Sequence, residues 1–256
     1  MPSAALFGAT GATGKHILKE LLSNKEITKV GEYGRRVTAL DSLKDVDTSK
    51  LHQKVVDFEK IEEDQDLKQG WDIVYIAYVL VPLAKHATNL FGSLGTTRAA
   101  AGSAAAFEKI DREHVLAAAR ATKTTGTQRL VYISSVGANR NSMFLYSRSK
   151  GLTEDGLSAL GYSDTIIFRP GFLKGRDTKQ AFMANALDGF MSILPGYKNH
   201  MQIHVADLGK AVVTAGLLGT AGLPKAAQAT EQPANGHKFT LIGNVGALGL
   251  ASLSSA

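Results

Sequence analysis

Three glycines spaced three residues apart, Gly8-Ala-Thr-Gly11-Ala-Thr-Gly14, follow the apolar run Ala4–Phe7 and open an amphipathic stretch. A strand that turns this tightly into a helix is the start of a βαβ unit, and few folds accommodate it. Gly8 permits the turn, Gly11 lets the backbone approach a pyrophosphate, and Gly14 lets helix and strand pack together. The helix N-terminus then offers unpaired N–H groups and partial positive charge to phosphates. The spacing is G-x-x-G-x-x-G rather than the commoner G-x-G-x-x-G, so a glycine-rich turn that binds nothing is the alternative. The strand–turn–helix context favours a dinucleotide site.

The rest of the chain repeats the alternation. Strands are expected at Ala4–Phe7, Val30–Tyr33, Lys54–Asp57, Asp72–Ala77, Arg129–Ser134 and Asp164–Phe168. Ile17, Leu18, Leu21 and Leu22 share one helical face. A second helix is expected from about Ala104 to Ala121, with Phe107, Ile110, Val115 and Ala118 inward. This pattern predicts an α/β, Rossmann-like, doubly wound parallel sheet with helices on both faces. No Pro/Gly/Ser linker divides the 256 residues, so one domain is read, its substrate pocket built mainly from a small C-terminal region, 171–256.

Composition removes other classes. With no cysteine, a disulfide scaffold, a thiolate zinc site and a cysteine nucleophile are excluded. Lys and Arg number 29 against 23 Asp and Glu, a net +6 that suits anionic ligands or an anionic membrane surface. No basic run interleaved with aromatics points to nucleic acid. The apolar run Ile73–Ala84 is broken by Pro82 and is shorter than the ~20 residues a spanning helix needs. The first residues enter a strand at once, which is read as leaving no signal or transit peptide. Gly243–Ala256, rich in Gly, Ala and Ser, is read as a loosely packed last helix or a frayed tail.

The end of the second strand bears on coenzyme choice. An acid there binds a ribose 2′-hydroxyl, whereas arginine accommodates a 2′-phosphate. Glu32 is followed by Tyr33, Gly34, Arg35 and Arg36. The paired guanidiniums suit a phosphate dianion, so NADP(H) is preferred, with NAD the minority reading and two solvated arginines the alternative. Asp57 is placed beside the adenine, or else simply caps the following turn.

Tyr146 and Lys150, at i and i+4, fall on one helical face. A free phenol titrates near ~10 and is a poor base at neutral pH. A nearby ammonium, helped by an oxidised nicotinamide, stabilises the phenolate. Ser134 and Ser135 end the apolar strand Leu130–Ile133, at the sheet edge where ligands bind. Ser135 is preferred over Ser134 for orienting a substrate oxygen.

Glycine turn, Ser and Tyr-x-x-x-Lys in this order resemble the short-chain dehydrogenase/reductase superfamily, of the atypical or extended kind. More narrowly, Val55–Lys60, Leu94-Gly-Thr-Thr-Arg98, Phe107–Asp111, Ser134-Ser135, Phe144-Leu-Tyr146 with Lys150, and Phe168-Arg-Pro-Gly171 resemble the animal Tat-interacting oxidoreductases and their fungal mitochondrial-proteome relatives. The resemblance covers most of residues 4 to 175. It implies NADPH held by Thr10, Gly11, Ala12 and Thr13 on the turn, with Arg35 and Arg36 on the 2′-phosphate. It further implies Leu94 and Gly95 beside the coenzyme, and Tyr146 and Lys150 at the ribose and nicotinamide. Pro170, Leu173 and Arg176 would belong to a segment closing over the nicotinamide. The fungal relatives suggest peripheral association with the cytosolic face of the mitochondrial outer membrane, although no targeting feature in the sequence points there. The chain departs from the family at Tyr78–Ser93, sixteen residues interposed before Leu94. They read as an inserted loop beside the coenzyme or as a retained intron, and transcripts spanning the segment distinguish the two.

Other residues have plainer readings. His200 and His204 lack a third ligand and are read as structural, with Asp207 capping a helix over Leu208–Leu218; no metal site is expected. Arg98 and Arg112 are read in ion pairs, with a phosphate contact the alternative for Arg98, Asp111 as structural with a subunit contact as the alternative, and Trp71 at the sheet edge. Phe172, Phe182, Met183, Phe190 and Met191 suit an apolar pocket and a core equally well. The sequence therefore predicts an NADP-dependent oxidoreductase acting on a small carbonyl or alcohol. In it Tyr146 transfers the proton, Lys150 supports it and Ser135 orients the substrate. The alternative is an NADPH-binding regulatory or scaffold protein with little turnover. Substrate identity and oligomeric state are left open.

Overall fold

The computed structural model describes residues 1–77, 108–175 and 201–253. Its first unit is β1 (Ser3–Phe7), α1 (Gly14–Ser23) and β2 (Lys29–Gly34), followed by β3 (Leu51–Val55) and β4 (Ile73–Ile76). After 108, a π-turn at Lys109–Glu113 runs into α2 (His114–Thr122), β5 (Arg129–Ile133), α3 (Leu145–Ser158), β6 (Asp164–Arg169) and the short β7 (Phe172–Lys174). The last described part holds β8 (Gln202–His204), α4 (Val205–Gly222, broken at Gly219), β9 (Thr230–Ala234), β10 (His237–Gly243) and α5 (Asn244–Leu253).

Eight strands form one sheet in the order β3-β2-β1-β4-β5-β6-β10-β9, parallel except for the antiparallel β10–β9 pair. Strand order reverses between β1 and β4, the point at which sheets of this type bind ligands, outside their carboxyl ends. The pleat sends Ala4 and Leu6 to one face, where they pack with Ile17, Leu21, Leu208 and Ala211 of α1 and α4. It sends Ala5 and Phe7 to the other, against Val115, Ala118 and Leu157 of α2 and α3. Both faces are covered by helices, as the sequence predicts.

Several boundaries differ from expectation. β3 begins three residues earlier than Lys54 because it is an edge strand whose residues are mostly half-exposed, which blurs its apolar signal. Trp71 lies buried over Gly31 of β2, one strand in from that edge. The β9–β10 hairpin is absent from the sequence expectations, yet it carries a signal. Asn235 (φ 49°) and Gly236 (φ 82°) form its two-residue turn, and Asn-Gly is the residue pair such turns favour. The C-terminal segment is neither loose nor frayed through Leu253. In α5, Gly246, Ala247, Leu250 and Ala251 are buried, and a side chain at Gly246 would overlap the Ala227 carbonyl at 1.9 Å. Asp207 does not cap α4. It lies within the first turn, and His204 Nδ1 accepts the Ala206 N–H instead.

The inserted loop 78–93 lies outside the described residues. So do Leu94, Gly95, Arg98, Phe107, Arg176, Phe182, Met183, Phe190, Met191 and His200.

Candidate active site

The glycine turn sits on the carboxyl edge between β2 and β4. Gly8 adopts φ 87°, a left-handed conformation costly for other residues, and its carbonyl accepts the Gly11 N–H at 3.0 Å. A side chain at Gly14 would place Cβ 2.0 Å from that same carbonyl, so turn and helix pack only because it is glycine. Thr10 and Gly11 are exposed, Ala12 is half-buried and Thr13 is buried. Thr13 occupies the N-cap position of α1 without a side-chain capping bond, and no acid lies in the first turn. A helix terminus left uncapped and free of negative charge, behind a backbone cradle, fits a dinucleotide pyrophosphate.

Glu32 is the residue whose placement is most informative. Its carboxylate is fully buried and accepts from Thr38 N and Thr38 Oγ1 at 2.7 Å and from Gln53 Nε2 at 2.7 Å. The acid is thus spent on bracing the loop after β2 and is not presented to a ribose. Arg35 and Arg36, on the loop it braces, are exposed. Glu32→Gln exchanges an acceptor for a donor opposite the Gln53 amide, which already donates to the Thr38 carbonyl as well. It is expected to cost about 1–3 kcal/mol, read as a lower urea midpoint.

Asp57, exposed beyond the end of β3, accepts from Glu59 N at 3.0 Å, while its carbonyl accepts from Lys60 N. The turn-capping role is therefore real, and the carboxylate stands on the same sheet edge as Arg35.

Beyond β5, Ser134 is buried and its Oγ has no hydrogen-bond partner among the described residues. Ser135 is half-exposed and donates to the Val136 carbonyl at 3.2 Å. The Pro170 carbonyl after β6 accepts the Val136 N–H, tying the loops that follow β5 and β6. Leu173, in β7, is half-buried against the core. A cleft of about 360 Å³ lies past these loops, lined in part by Val136, Gly137, Gly171, Met201 and Asn244. Tyr146 and Lys150 are not among its lining residues.

α3 presents Tyr146 and Lys150 together, as their spacing predicts. Lys150 Nζ lies 5.9 Å from the centre of the Tyr146 ring, and Tyr146 is half-buried. Lys150 itself is fully buried and donates to Tyr132 Oη at 3.1 Å. The sequence gives no hint of its main partner. Asp111 Oδ1 lies 2.6 Å from Lys150 Nζ with both side chains inaccessible, and Asp111 Oδ2 accepts from Ser149 Oγ at 2.9 Å. Burial alone would pull the Lys150 ammonium toward neutrality, but the Asp111 carboxylate, together with the Tyr132 and Tyr146 hydroxyls, outweighs this and holds it charged well above the usual lysine range. Burial pushes the Tyr132 phenol up, out of the range where it could act as a base. Asp111 is enclosed, which removes the subunit-contact reading.

Arg112, half-buried, pairs with Glu113 at 2.8 Å, the ion pair expected of it. Among the described residues no three His, Cys, Asp or Glu side chains are grouped to hold a metal ion.

Residues 8–215 match the model of the family described as NAD(P)H-binding. The chain is 36% identical over 195 residues to "Protein FMP52-1, mitochondrial" of Scheffersomyces stipitis, covering 76% of this chain and 77% of that one. It is 35% identical over 171 residues to "Protein HTATIP2" of Rattus norvegicus, covering 67% and 62% respectively. A solved short-chain dehydrogenase/reductase from Saccharomyces cerevisiae superposes with a TM-score of 0.57 over 95% of this chain and 96% of its own, at 16% identity.

Proposed function

Since the chain belongs to the NAD(P)H-binding family and has the short-chain dehydrogenase/reductase fold, we propose that it is an NADP(H)-dependent reductase of a small carbonyl compound. The observation that carries this reading is the Tyr146 ring beside the buried Lys150 ammonium, on a sheet edge that also holds the glycine turn. When bound, a reduced nicotinamide coenzyme would supply a hydride to the carbonyl carbon. Gly8 to Gly14 would hold its pyrophosphate, and Arg35 and Arg36 its 2′-phosphate. The Tyr146 hydroxyl gives its proton to the carbonyl oxygen, and Lys150 stabilises the phenolate left behind. Ser135 orients the substrate oxygen; Ser134, buried one residue away with a hydroxyl unpartnered among the described residues, shares that edge.

The preference for NADP(H) is supported by Glu32 being bound internally while two arginines remain on the rim. Arg35→Ala and Arg36→Ala are each expected to weaken NADPH binding about tenfold and to leave NADH binding unchanged. Calorimetric titration of both coenzymes checks this, and equal losses for both would end the 2′-phosphate assignment. The mitochondrial names of fungal relatives support a mitochondrial location for this chain, and the outer-membrane, peripheral attachment is our own proposal. Among the described residues no helix is long and apolar enough to cross a membrane. Fractionation with carbonate extraction tests the peripheral placement.

A further inference from the structure

Asp111 is not part of the Tyr-x-x-x-Lys pattern, yet the fold brings its carboxylate to the Lys150 ammonium in a fully buried ion pair. The approach has a structural cause. The backbone widens into a π-turn at Lys109–Glu113, closed by the His114 N–H on the Lys109 carbonyl, and Asp111 is at its centre. Such single wide turns re-aim a side chain and are frequent at functional sites. Immediately beyond it, α2 packs closely on α3, where any side chain at Gly156 would meet Leu116 at 2.7 Å. Ser149, the residue before Lys150, fixes the second carboxylate oxygen. The charged or titratable groups brought to bear on Lys150 are Asp111 from the π-turn, Tyr132 from β5 and Tyr146 from α3.

We propose that Asp111 is a positioning residue that locks the Lys150 ammonium beside Tyr146 and offsets part of its charge there, so that the coenzyme-free chain keeps Tyr146 as a proton donor. The inference rests on the Tyr146–Lys150 reading above and adds a direction to it, since a phenol is the form that reduction consumes. A lone ammonium at this distance favours the phenolate; a carboxylate bonded to that ammonium turns the pair into a dipole whose field is weaker. The ion pair also keeps a side chain with four rotatable bonds in one place without coenzyme.

The test is the ultraviolet tyrosinate difference spectrum of the coenzyme-free chain as pH is raised. Asp111→Asn keeps the shape and a partner for Ser149 but removes the negative charge. Its spectrum should gain one tyrosine's worth of phenolate at a hydrogen-ion concentration at least tenfold higher than the parent requires. Lys150→Met should move that ionisation the opposite way. Asp111→Glu, which restores the charge, should track the parent, and Asp111→Asn/Tyr146→Phe should lose the early component. An Asp111→Asn curve that overlays the parent's overturns the proposal, as does an early component that survives Tyr146→Phe. If Asp111→Asn does not fold, Asp111→Asn/Lys150→Met decides: recovery of a cooperative transition supports the pairing, and failure to fold overturns it. The readout uses no coenzyme and no substrate. A chain that reduces carbonyls with an unchanged tyrosine titration therefore sinks this inference alone, and a chain without turnover still tests it.

Discussion

Tyr146→Phe is expected to lower NADPH-dependent carbonyl reduction by a factor of about 10²–10⁴, the usual contribution of a positioned general acid. The phenyl ring keeps its place beside Lys150 Nζ, 5.9 Å away, so packing and coenzyme affinity should be preserved while the transferable proton is lost. The loss should therefore lie in kcat, with NADPH affinity by calorimetry within a factor of about two of the parent. Turnover is measured against a panel of aldehydes and ketones, because the apolar side chains expected to shape the pocket do not specify one substrate. A variant as active as its parent removes Tyr146 from the chemistry. Absence of turnover in both, with NADPH bound tightly, favours a coenzyme-sensing or scaffold protein instead.

The legible parts of this molecule are those whose cause is local. A turn that needs φ 87° at Gly8 and no Cβ at Gly14 writes both requirements as glycine, so the coenzyme cradle can be read from seven residues. Tyr146 and Lys150 are one helical turn apart, and periodicity alone puts them on one face. The buried central strands carry near-continuous apolar runs, as strands covered on both faces must. The edge strand β3 does not, and its boundaries slip. Where the cause is non-local, the sequence is silent. Asp111 and Lys150 are joined by a π-turn and by helix packing, and no spacing rule links an aspartate to a lysine 39 positions away. Glu32 looks like a ribose ligand because its position is right. Only the fold reveals that Thr38 and Gln53 have already claimed its oxygens.

The Asp111–Lys150 pair also implies a large stability effect with a particular pH signature. Lys150→Met leaves a buried carboxylate with Ser149 as its remaining donor among the described residues, and removing one partner of such a pair typically costs about 3–5 kcal/mol. A domain with ~5–15 kcal/mol of total stability should lose a large part of its urea midpoint. In the parent, the folded ammonium is held charged above its unfolded value of 10.5, so its contribution is fully present below that pH and fades only as pH rises through the higher folded value. Lys150 itself should therefore impose no pH dependence between pH 5 and 9. The variant should differ, because an unpaired buried carboxylate escapes its cost by taking up a proton. Its deficit relative to the parent should shrink steadily as pH falls from 8 toward 5. Denaturant melts of parent and variant at matched pH measure the difference directly. A constant deficit across that range would mean that lost methylene packing, and not an orphaned charge, accounts for the cost.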